Sequence, residues 1–253
     1  EFAALFGICG VEVTLVELLP RLVPTADHDI GEALAWTLSQ QGVAVHTASR
    51  VTRIVPAAGV AVVCTVEGPQ GALDITVDNV LLAVGRKPNV EGLGLEAAGI
   101  HYSPKGIAVN IRMETNVPGI YAIGDVVGGS MLAHVAMRQG VVAAENAAGL
   151  ESFMNYKAVP ACIFTIPEAA TLGLSEEQAR QAGHDVMVGK FALVNNGKAV
   201  AAGEFNGFIK IVADRRFGEI LGLHIVGPHA RDMILEVSLA LAAQGRALHV
   251  PAK

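Results

Sequence analysis

Short apolar segments, separated by glycine, proline and acidic residues, divide the first part of the chain into strands and helices. The β-branched run Val11–Glu17 predicts a strand that ends in an acid, and a helix tail precedes it. Apolar residues recur at helical spacing from Ile30 to Leu38, which predicts a helix that ends at Gly42. Further on, β-rich segments on either side of residues 68–71 predict a pair of strands joined by a turn.

Two longer apolar runs, Asn79–Gly85 and Gly119–Asp125, lack the alternation of a half-exposed strand. Continuous apolar strands are typical of parallel sheets that are covered on both faces, so both runs are predicted to be buried strands. An alanine-rich helix is predicted at Val135–Gly149. The front of the chain is therefore predicted to have a layered α/β architecture.

The last third of the chain has a different pattern. Ser175-Glu176-Glu177-Gln178 is a capping box, which predicts a short helix that ends at Gly183. Apolar segments on either side of the turn at residues 214–218 predict an antiparallel hairpin. Apolar residues at helical spacing from Met233 to Leu241 predict a helix behind it. Hairpins with helices on one side are typical of an α+β architecture.

The composition narrows the function classes. Of the 253 residues, 52% are hydrophobic and 17% are charged, which excludes a disordered chain. The net charge of −6 disfavours nucleic acid as a partner, because proteins that bind it usually carry a basic face. No apolar run approaches the roughly 18 residues that a membrane span requires, so no membrane partner is expected.

The three cysteines, Cys9, Cys64 and Cys162, are widely spaced and predict neither a disulfide framework nor a metal site. Each is expected to be a small buried hydrophobic residue. This usage favours a reducing, cytoplasmic setting. No metal ligand is predicted elsewhere in the chain.

Two of the predicted strand ends carry residues suited to binding a dinucleotide. Glu17 ends the first strand, where a carboxylate can accept hydrogen bonds from ribose hydroxyls and repel a 2′-phosphate. Gly85 and Arg86 follow a predicted buried strand, where glycine lets a ligand approach the backbone closely. Taken alone, both features also fit a solvent-facing acid and an ordinary turn.

The strongest motif runs from Asn116 to Val126, where a Pro-Gly turn leads into an apolar strand that ends in Gly-Asp. Asp125 therefore lies at the carboxyl end of a predicted strand, the edge at which α/β sheets bind ligands. Its carboxylate can hold a polyol hydroxyl of a cofactor. The segment Met131–His134 then opens a helix, whose free backbone N–H groups can face an electron-rich ring.

Together these blocks resemble the pyridine nucleotide–disulfide oxidoreductases. Residues 116–126 with 131–134 resemble the FAD-binding block of that family, and Ala83–Asn89 resembles the end of its NAD domain. Phe164–Glu168 and Leu223–Ala230 resemble its C-terminal dimerisation domain. The similarity is greatest to the members that oxidise dihydrolipoamide, and it covers nearly the whole chain.

The resemblance implies Rossmann-like portions of an NAD domain at residues 1–89 and of an FAD domain at residues 90–150, followed by an α+β dimerisation domain at residues 151–253. Glu17 would hold the NAD ribose, and Asp125 would hold the ribityl chain of FAD. The implied cofactor-binding residues are Glu1, Glu17, Val51, Gly85, Arg86, Asp125, Met131, Leu132, Ala133 and His134.

The resemblance also implies a reaction and partners. Dihydrolipoamide, carried on the lipoyl domain of the E2 component of a 2-oxoacid dehydrogenase complex, would pass electrons to a Cys–Cys disulfide, then to FAD and finally to NAD⁺. The enzyme would act as a homodimer.

Several parts of the family pattern are absent from this sequence. The Gly-rich fingerprints and the two close cysteines of the redox disulfide are missing, so no catalytic residue is assigned. His249-Val250-Pro251 lacks the glutamate of the family's base motif and is not assigned as the base. The chain is therefore expected to be cut at both ends, to be inactive by itself, and to aggregate or to dimerise through residues 160–253.

Three alternatives remain open at this point. Glutathione reductase would favour basic residues where Glu17-Leu18-Leu19 stand, since it binds a 2′-phosphate. Mercuric reductase would more often carry a C-terminal cysteine pair, which is not seen before Lys253. The third alternative is a non-catalytic dimerisation or nucleotide-binding module.

Overall fold

A computed structural model describes residues 1–59 and 61–242 of the chain. The chain divides into two compact units. Unit 1 comprises Glu1–Leu81 together with Pro160–Lys253, and unit 2 comprises Leu82–Val159. The N-terminal and C-terminal segments thus fold together, while the middle of the chain forms a unit by itself.

The N-terminal segment of unit 1 contains two helices, a parallel strand pair and a three-stranded antiparallel sheet. In chain order its elements are α1 (Phe2–Ile8), β1 (Thr14–Val16), α2 (His28–Gln40), β2 (Ala44–His46), β3 (Arg50–Pro56), β4 (Val62–Gly68) and β5 (Gly71–Val77). β1 pairs in parallel with β2, and β3, β4 and β5 pair in that order. The predicted helix and the predicted strand pair are confirmed, while β1 is shorter than its apolar run.

Unit 2 contains little regular structure. Its elements are the two-stranded antiparallel pair β6 (Tyr102–Ser103) and β7 (Gly106–Ile107), a 3₁₀ helix at Gly124–Val127, and the long helix α3 (Ala133–Ala147). The helix predicted from the alanine-rich segment is therefore confirmed. Met113, Val135 and Val142 are buried in the core that forms under α3.

The two predicted buried strands are wrong. Asn79–Gly85 is not a strand, and Leu82 and Val84 are 78% and 86% exposed. Gly119–Asp125 makes only a single bridge, between Tyr121 and Glu114, before it enters the 3₁₀ helix. The physical reason is that an apolar run becomes a central strand only when strands lie beside it, and no strand of the described residues pairs with either run.

The C-terminal segment of unit 1 is built on one antiparallel sheet. Its elements are β8 (Pro160–Ile163), β9 (Glu168–Gly173), α4 (Glu176–Gln181), β10 (Val186–Ala192), α5 (Gly197–Ala202), β11 (Phe208–Asp214), β12 (Ile220–Gly227) and α6 (Ala230–Ala242). The strand order is β10-β11-β12-β9-β8. The capping box at Ser175, the β11–β12 hairpin and the final helix are all confirmed.

Two helices cover this sheet. Ile30 and Leu34 of α2 share a core with Phe208 and Val226 of the hairpin. Ile234 of α6, which is fully buried, belongs to a second core with residues of β9 and β12. The packing of α2 explains why residues from both ends of the chain belong to one unit.

The three cysteines differ in their exposure. Cys64 is buried as expected and Cys162 is half-buried, but Cys9 is exposed, because it caps the C-terminus of the short helix α1 at the surface. Among the described residues, no helix combines the length and the apolar character needed to cross a bilayer.

Candidate functional site

The acid at the end of β1 is held in place by backbone groups. The N–H of Glu17 donates to the carbonyl of His46 on β2 at 2.8 Å, and the Glu17 Oε1 atom accepts from the N–H of Leu19 at 2.8 Å. The side chain therefore lies, half-buried, at the carboxyl end of a parallel strand pair. This is the edge at which α/β sheets bind ligands, and a carboxylate fixed there can accept ribose hydroxyls.

Two other residues predicted on the NAD side also lie in unit 1. Val51 is the second residue of β3 and is 39% exposed. Glu1 precedes α1 but does not cap it with its side chain. Its Oε1 atom instead accepts from the N–H of Phe164 at 2.8 Å, ahead of β9. The structure thus gives Glu1 a contact between the two segments of unit 1, and a cofactor contact for it stays a prediction.

Unit 2 brings together two residues that the sequence pointed to separately. The Arg86 Nη2 atom donates to the Asp125 Oδ2 atom at 2.7 Å. Both side chains are exposed, by 75% and 40%. The neighbouring Gly85 has a positive φ of 116°, and a Cβ built on it would meet nothing within 4 Å. Arg86 therefore orients one oxygen of the carboxylate beside an open stretch of backbone.

Residues 131–134 form the N-terminus of α3. Leu132 is the N-cap residue, and its side chain makes no capping hydrogen bond. The N-terminus of this 15-residue helix, which begins at Ala133, carries the positive end of the helix dipole. Met131 and His134 flank this end, which is suited to an electron-rich or anionic group.

A buried glutamine ties the backbone just before Asp125 to α3. The Gly124 N–H donates to the Gln139 Oε1 atom at 2.7 Å, and the Gln139 Nε2 atom donates to the Tyr156 hydroxyl at 3.0 Å. Gln139 is only 3% exposed. Gln139 and Tyr156 are not predicted from the sequence, although Gln139 is a polar residue within an apolar, alanine-rich helical pattern.

A close backbone approach fixes the loop that follows Asp125. Gly128 has a φ of 71°, and a Cβ built on it would lie 2.1 Å from the carbonyl oxygen of Lys105. A Cβ built on Gly106, in β7, would lie 2.6 Å from the carbonyl carbon of Val127. Glycine is needed at both positions, so the 3₁₀ helix that carries Asp125 is pressed against the β6–β7 turn.

The residues of unit 2 fit part of a flavin site. They provide a half-exposed carboxylate for a polyol hydroxyl, the N-terminus of α3 for an electron-rich ring, and glycines that let a ligand approach the backbone. They do not provide a redox disulfide, because all three cysteines of the sequence lie in the segments of unit 1. The His249-Val250-Pro251 motif lies outside the described residues.

Family profiles match both parts of the chain. The profile of the pyridine nucleotide-disulphide oxidoreductases matches residues 1–140, and the profile of their dimerisation domain matches residues 159–250. These matches confirm the prediction of nucleotide-binding α/β portions followed by a dimerisation domain. The division of the sequence at residues 89 and 150 stays a prediction.

The chain is also similar to curated proteins. It is 44% identical to a dihydrolipoyl dehydrogenase of Bacillus subtilis over 234 residues, covering 92% of this chain and 50% of that protein. It is 43% identical to the dihydrolipoyl dehydrogenase of Thermus scotoductus, covering 95% of this chain and 52% of that protein. The chain spans about half the length of the curated relatives it matches.

Solved structures share the fold. LpdA from Mycobacterium tuberculosis superposes with a TM-score of 0.86 at 29% identity, covering 96% of this chain and 53% of that one. The HOCl-induced flavoprotein disulfide reductase RclA from Escherichia coli superposes with a TM-score of 0.83 at 27% identity, covering 97% of this chain and 56% of that one. With the profile match over more than half of its residues, the chain belongs to the pyridine nucleotide-disulphide oxidoreductase family.

Proposed function

We propose that the chain is part of a dihydrolipoyl dehydrogenase that oxidises dihydrolipoamide with NAD⁺ through FAD and a Cys–Cys disulfide. The observation that carries this proposal is the identity of 39–44% to relatives named dihydrolipoyl dehydrogenase, over 92–95% of the chain. The disulfide and the His–Glu base belong to parts of such an enzyme that this chain does not contain, so the chain alone is inactive.

On the FAD side, Asp125 would accept a hydrogen bond from the ribityl chain, and Arg86 orients the carboxylate. The N-terminus of α3, at residues 131–134, faces the ring. Bound FAD supplies the capacity to take two electrons from a dithiol and to pass them to a nicotinamide. The role of this chain's residues is to bind and to orient.

On the NAD side, Glu17 would accept hydrogen bonds from the ribose of the adenosine, and Val51 would line the adenine. Glu17 disfavours a 2′-phosphate, so NAD is preferred over NADP. This preference is the chemical argument against a glutathione-reductase activity.

The partners and the setting follow from the same proposal. The chain forms a homodimer through its dimerisation portion, which the profile match at residues 159–250 supports. Its substrate is dihydrolipoamide on the lipoyl domain of an E2 component, and its setting is the cytoplasm.

A chimera tests the proposal. The chain replaces its matching half in the Bacillus subtilis dihydrolipoyl dehydrogenase, and the purified protein is assayed for flavin absorbance and for reduction of NAD⁺ by dihydrolipoamide. We expect both in the chimera and neither in the chain alone. A folded, flavin-loaded chimera that oxidises no dihydrolipoamide would overturn the proposed substrate.

Variants of the chimera test the assigned carboxylate. Asp125→Ala is expected to lower the flavin content of the purified chimera at least tenfold, because the ribityl chain loses a charged acceptor. Asp78→Ala, which removes an exposed carboxylate after β5, is the matched control and should leave the flavin content unchanged. Equal flavin content in both variants would show that Asp125 does not bind the flavin.

A further inference from the structure

A buried ionic cluster in unit 1 has no part in the proposed reaction. Asp27, Lys210 and His224 are 1%, 4% and 1% exposed. Burying a charge is costly unless it is paired and hydrogen-bonded, so these groups must be held by well-placed partners.

Two helix N-termini meet at the carboxylate of Asp27. Its Oδ1 atom accepts from the N–H of Asp29 at 3.1 Å, which caps α2. Its Oδ2 atom accepts from the N–H of Glu176, the first residue of α4, at 3.0 Å. The same carboxylate therefore satisfies backbone donors of two helices and lies at the positive ends of both.

Lys210 of β11 is the centre of the cluster. Its Nζ atom lies 2.9 Å from Asp27, 3.2 Å from Asp29 and 3.0 Å from Glu176. Lys190 adds a second cation at 3.0 Å from Asp29, and Arg180 adds a third at 2.8 Å from Glu176. Three cations thus balance three carboxylates.

His224 packs beside the Asp27 carboxylate as a neutral side chain. Its Nε2 atom donates to the carbonyl oxygen of Leu174 at 3.1 Å, and its Nδ1 atom accepts from the hydroxyl of Thr171 at 2.7 Å. Its Nε2 atom lies 4.0 Å from the Asp27 carboxylate. Burial lowers the pKa of His224, which keeps the ring neutral.

The cluster joins parts of the chain that are far apart in sequence. Asp27 and Lys210 are separated by 183 positions. Asp27 also ends the loop that starts after Glu17, and Arg21 of that loop makes a second ion pair, with Glu177 at 2.8 Å. The loop beside the proposed ribose-binding acid is thus held at two points by the dimerisation portion.

We propose that the cluster around Asp27 and Lys210 is a lock that holds the strand–loop–helix segment 14–40 on the dimerisation sheet, so that the order of the loop after Glu17 depends on that sheet. The consequence for dinucleotide binding rests on the proposed function. The lock itself is a property of unit 1 and does not require that function.

Hydrogen exchange of the full chain, followed by mass spectrometry, tests the lock. In Lys210→Met, three carboxylates lose their shared cation, and we expect exchange in residues 18–40 to rise about 100-fold while exchange in β11 and β12 changes less than about threefold. Lys198→Met is the matched control. It makes the same chemical change at an exposed position of α5 outside the cluster, and exchange in residues 18–40 should stay as in the unchanged chain.

Two results would overturn the proposal. One is unchanged exchange in residues 18–40 of Lys210→Met. The other is a parallel rise in residues 18–40 and in β11–β12, which would show that the whole unit weakens without a separable lock. Neither hydrogen-exchange result depends on dinucleotide binding. A result that contradicts the lock is therefore distinguishable from a chimera assay that contradicts the proposed function.

A pH series on the unchanged chain covers the case in which Lys210→Met does not fold. The groups that face Lys210 and its carboxylates are Asp27 and Asp29 of α2, Glu176 and Arg180 of α4, Lys190 of β10 and His224 of β12. Lowering the pH protonates the carboxylates, and we expect residues 18–40 to lose protection at a higher pH than β11–β12, after correction for intrinsic exchange. Loss of protection at the same pH in both regions would contradict the lock.

Discussion

The carboxylate of Glu17 is oriented by the Leu19 N–H at the carboxyl end of β1. We propose that this carboxylate accepts the ribose hydroxyls of NAD and repels the 2′-phosphate of NADP. We expect Glu17→Ala in the chimera to raise KM for NAD⁺ about tenfold and to narrow the preference for NAD⁺ over NADP⁺. Steady-state kinetics with both dinucleotides measure this, and Glu12→Ala, an exposed acid before β1, is the control. If Glu17→Ala leaves the preference for NAD⁺ over NADP⁺ unchanged, Glu17 does not bind the ribose.

His224 makes the stability of the chain depend on pH. Because burial lowers its pKa below the ordinary value of 6.5, the folded chain keeps the ring neutral where the unfolded chain takes up a proton. The stabilisation is therefore complete above about pH 6.5 and is lost as the pH falls below it, by at most about 1.4 kcal/mol per pH unit.

Urea unfolding at pH 7.5 and pH 5.5 measures this dependence. We expect His224→Gln to lose less stability between the two pH values than the unchanged chain does, by about 1 kcal/mol. His28→Gln, which alters an exposed histidine, should lose as much as the unchanged chain. If His224→Gln and His28→Gln behave alike, the pH dependence comes from other groups.

At the scale of elements, α4 depends on its capping box. The Ser175 hydroxyl accepts from the Gln178 N–H at 3.1 Å, and the Gln178 side chain accepts from the Ser175 N–H at 2.9 Å. We expect Ser175→Ala to lower the free energy of unfolding by about 1 kcal/mol, measured by urea denaturation. Ser39→Ala, in an exposed position of α2, makes the same chemical change and should stay within about 0.5 kcal/mol. A similar effect of both substitutions would show that the cap does not contribute.

The elements also show which sequence patterns are reliable. Capping residues, glycine ends and helical spacing act within a few positions, and they correctly predicted α2, α4, α6 and the β11–β12 hairpin. β3 was not predicted, because its mostly exposed residues carry no buried pattern, and β8–β10 were not predicted either. The apolar run Asn79–Gly85 was misassigned, since a strand needs neighbours that the described chain does not place beside it.

At the scale of the whole molecule, two apolar surfaces bear on assembly. Leu235 and Leu239, one turn apart on α6, are 57% and 73% exposed, and Leu82 and Val84 form the second surface. We expect light scattering to show a dimer of the chain or larger particles, because exposed apolar surface favours association. A monodisperse monomer would contradict this.

Paired charge substitutions separate the two surfaces. Leu235→Lys with Leu239→Lys should convert the dimer to monomer, because two charges would be buried at the interface. Leu82→Lys with Val84→Lys should lower the amount of larger particles and leave the dimer intact. A dimer that survives the α6 substitutions would place the interface elsewhere.

Local sequence patterns predicted the capped and periodic helices, the family and the residues proposed to bind cofactors, because these depend on neighbouring positions or on short ordered motifs. Three features are seen only in the folded chain: the two ends of the chain form one unit, Arg86 pairs with Asp125, and Asp27 lies buried against Lys210. The physical reason is sequence separation. The Arg86–Asp125 and Asp27–Lys210 contacts join positions 39 and 183 residues apart, and neither composition nor period records which distant charges meet when a buried carboxylate must be satisfied.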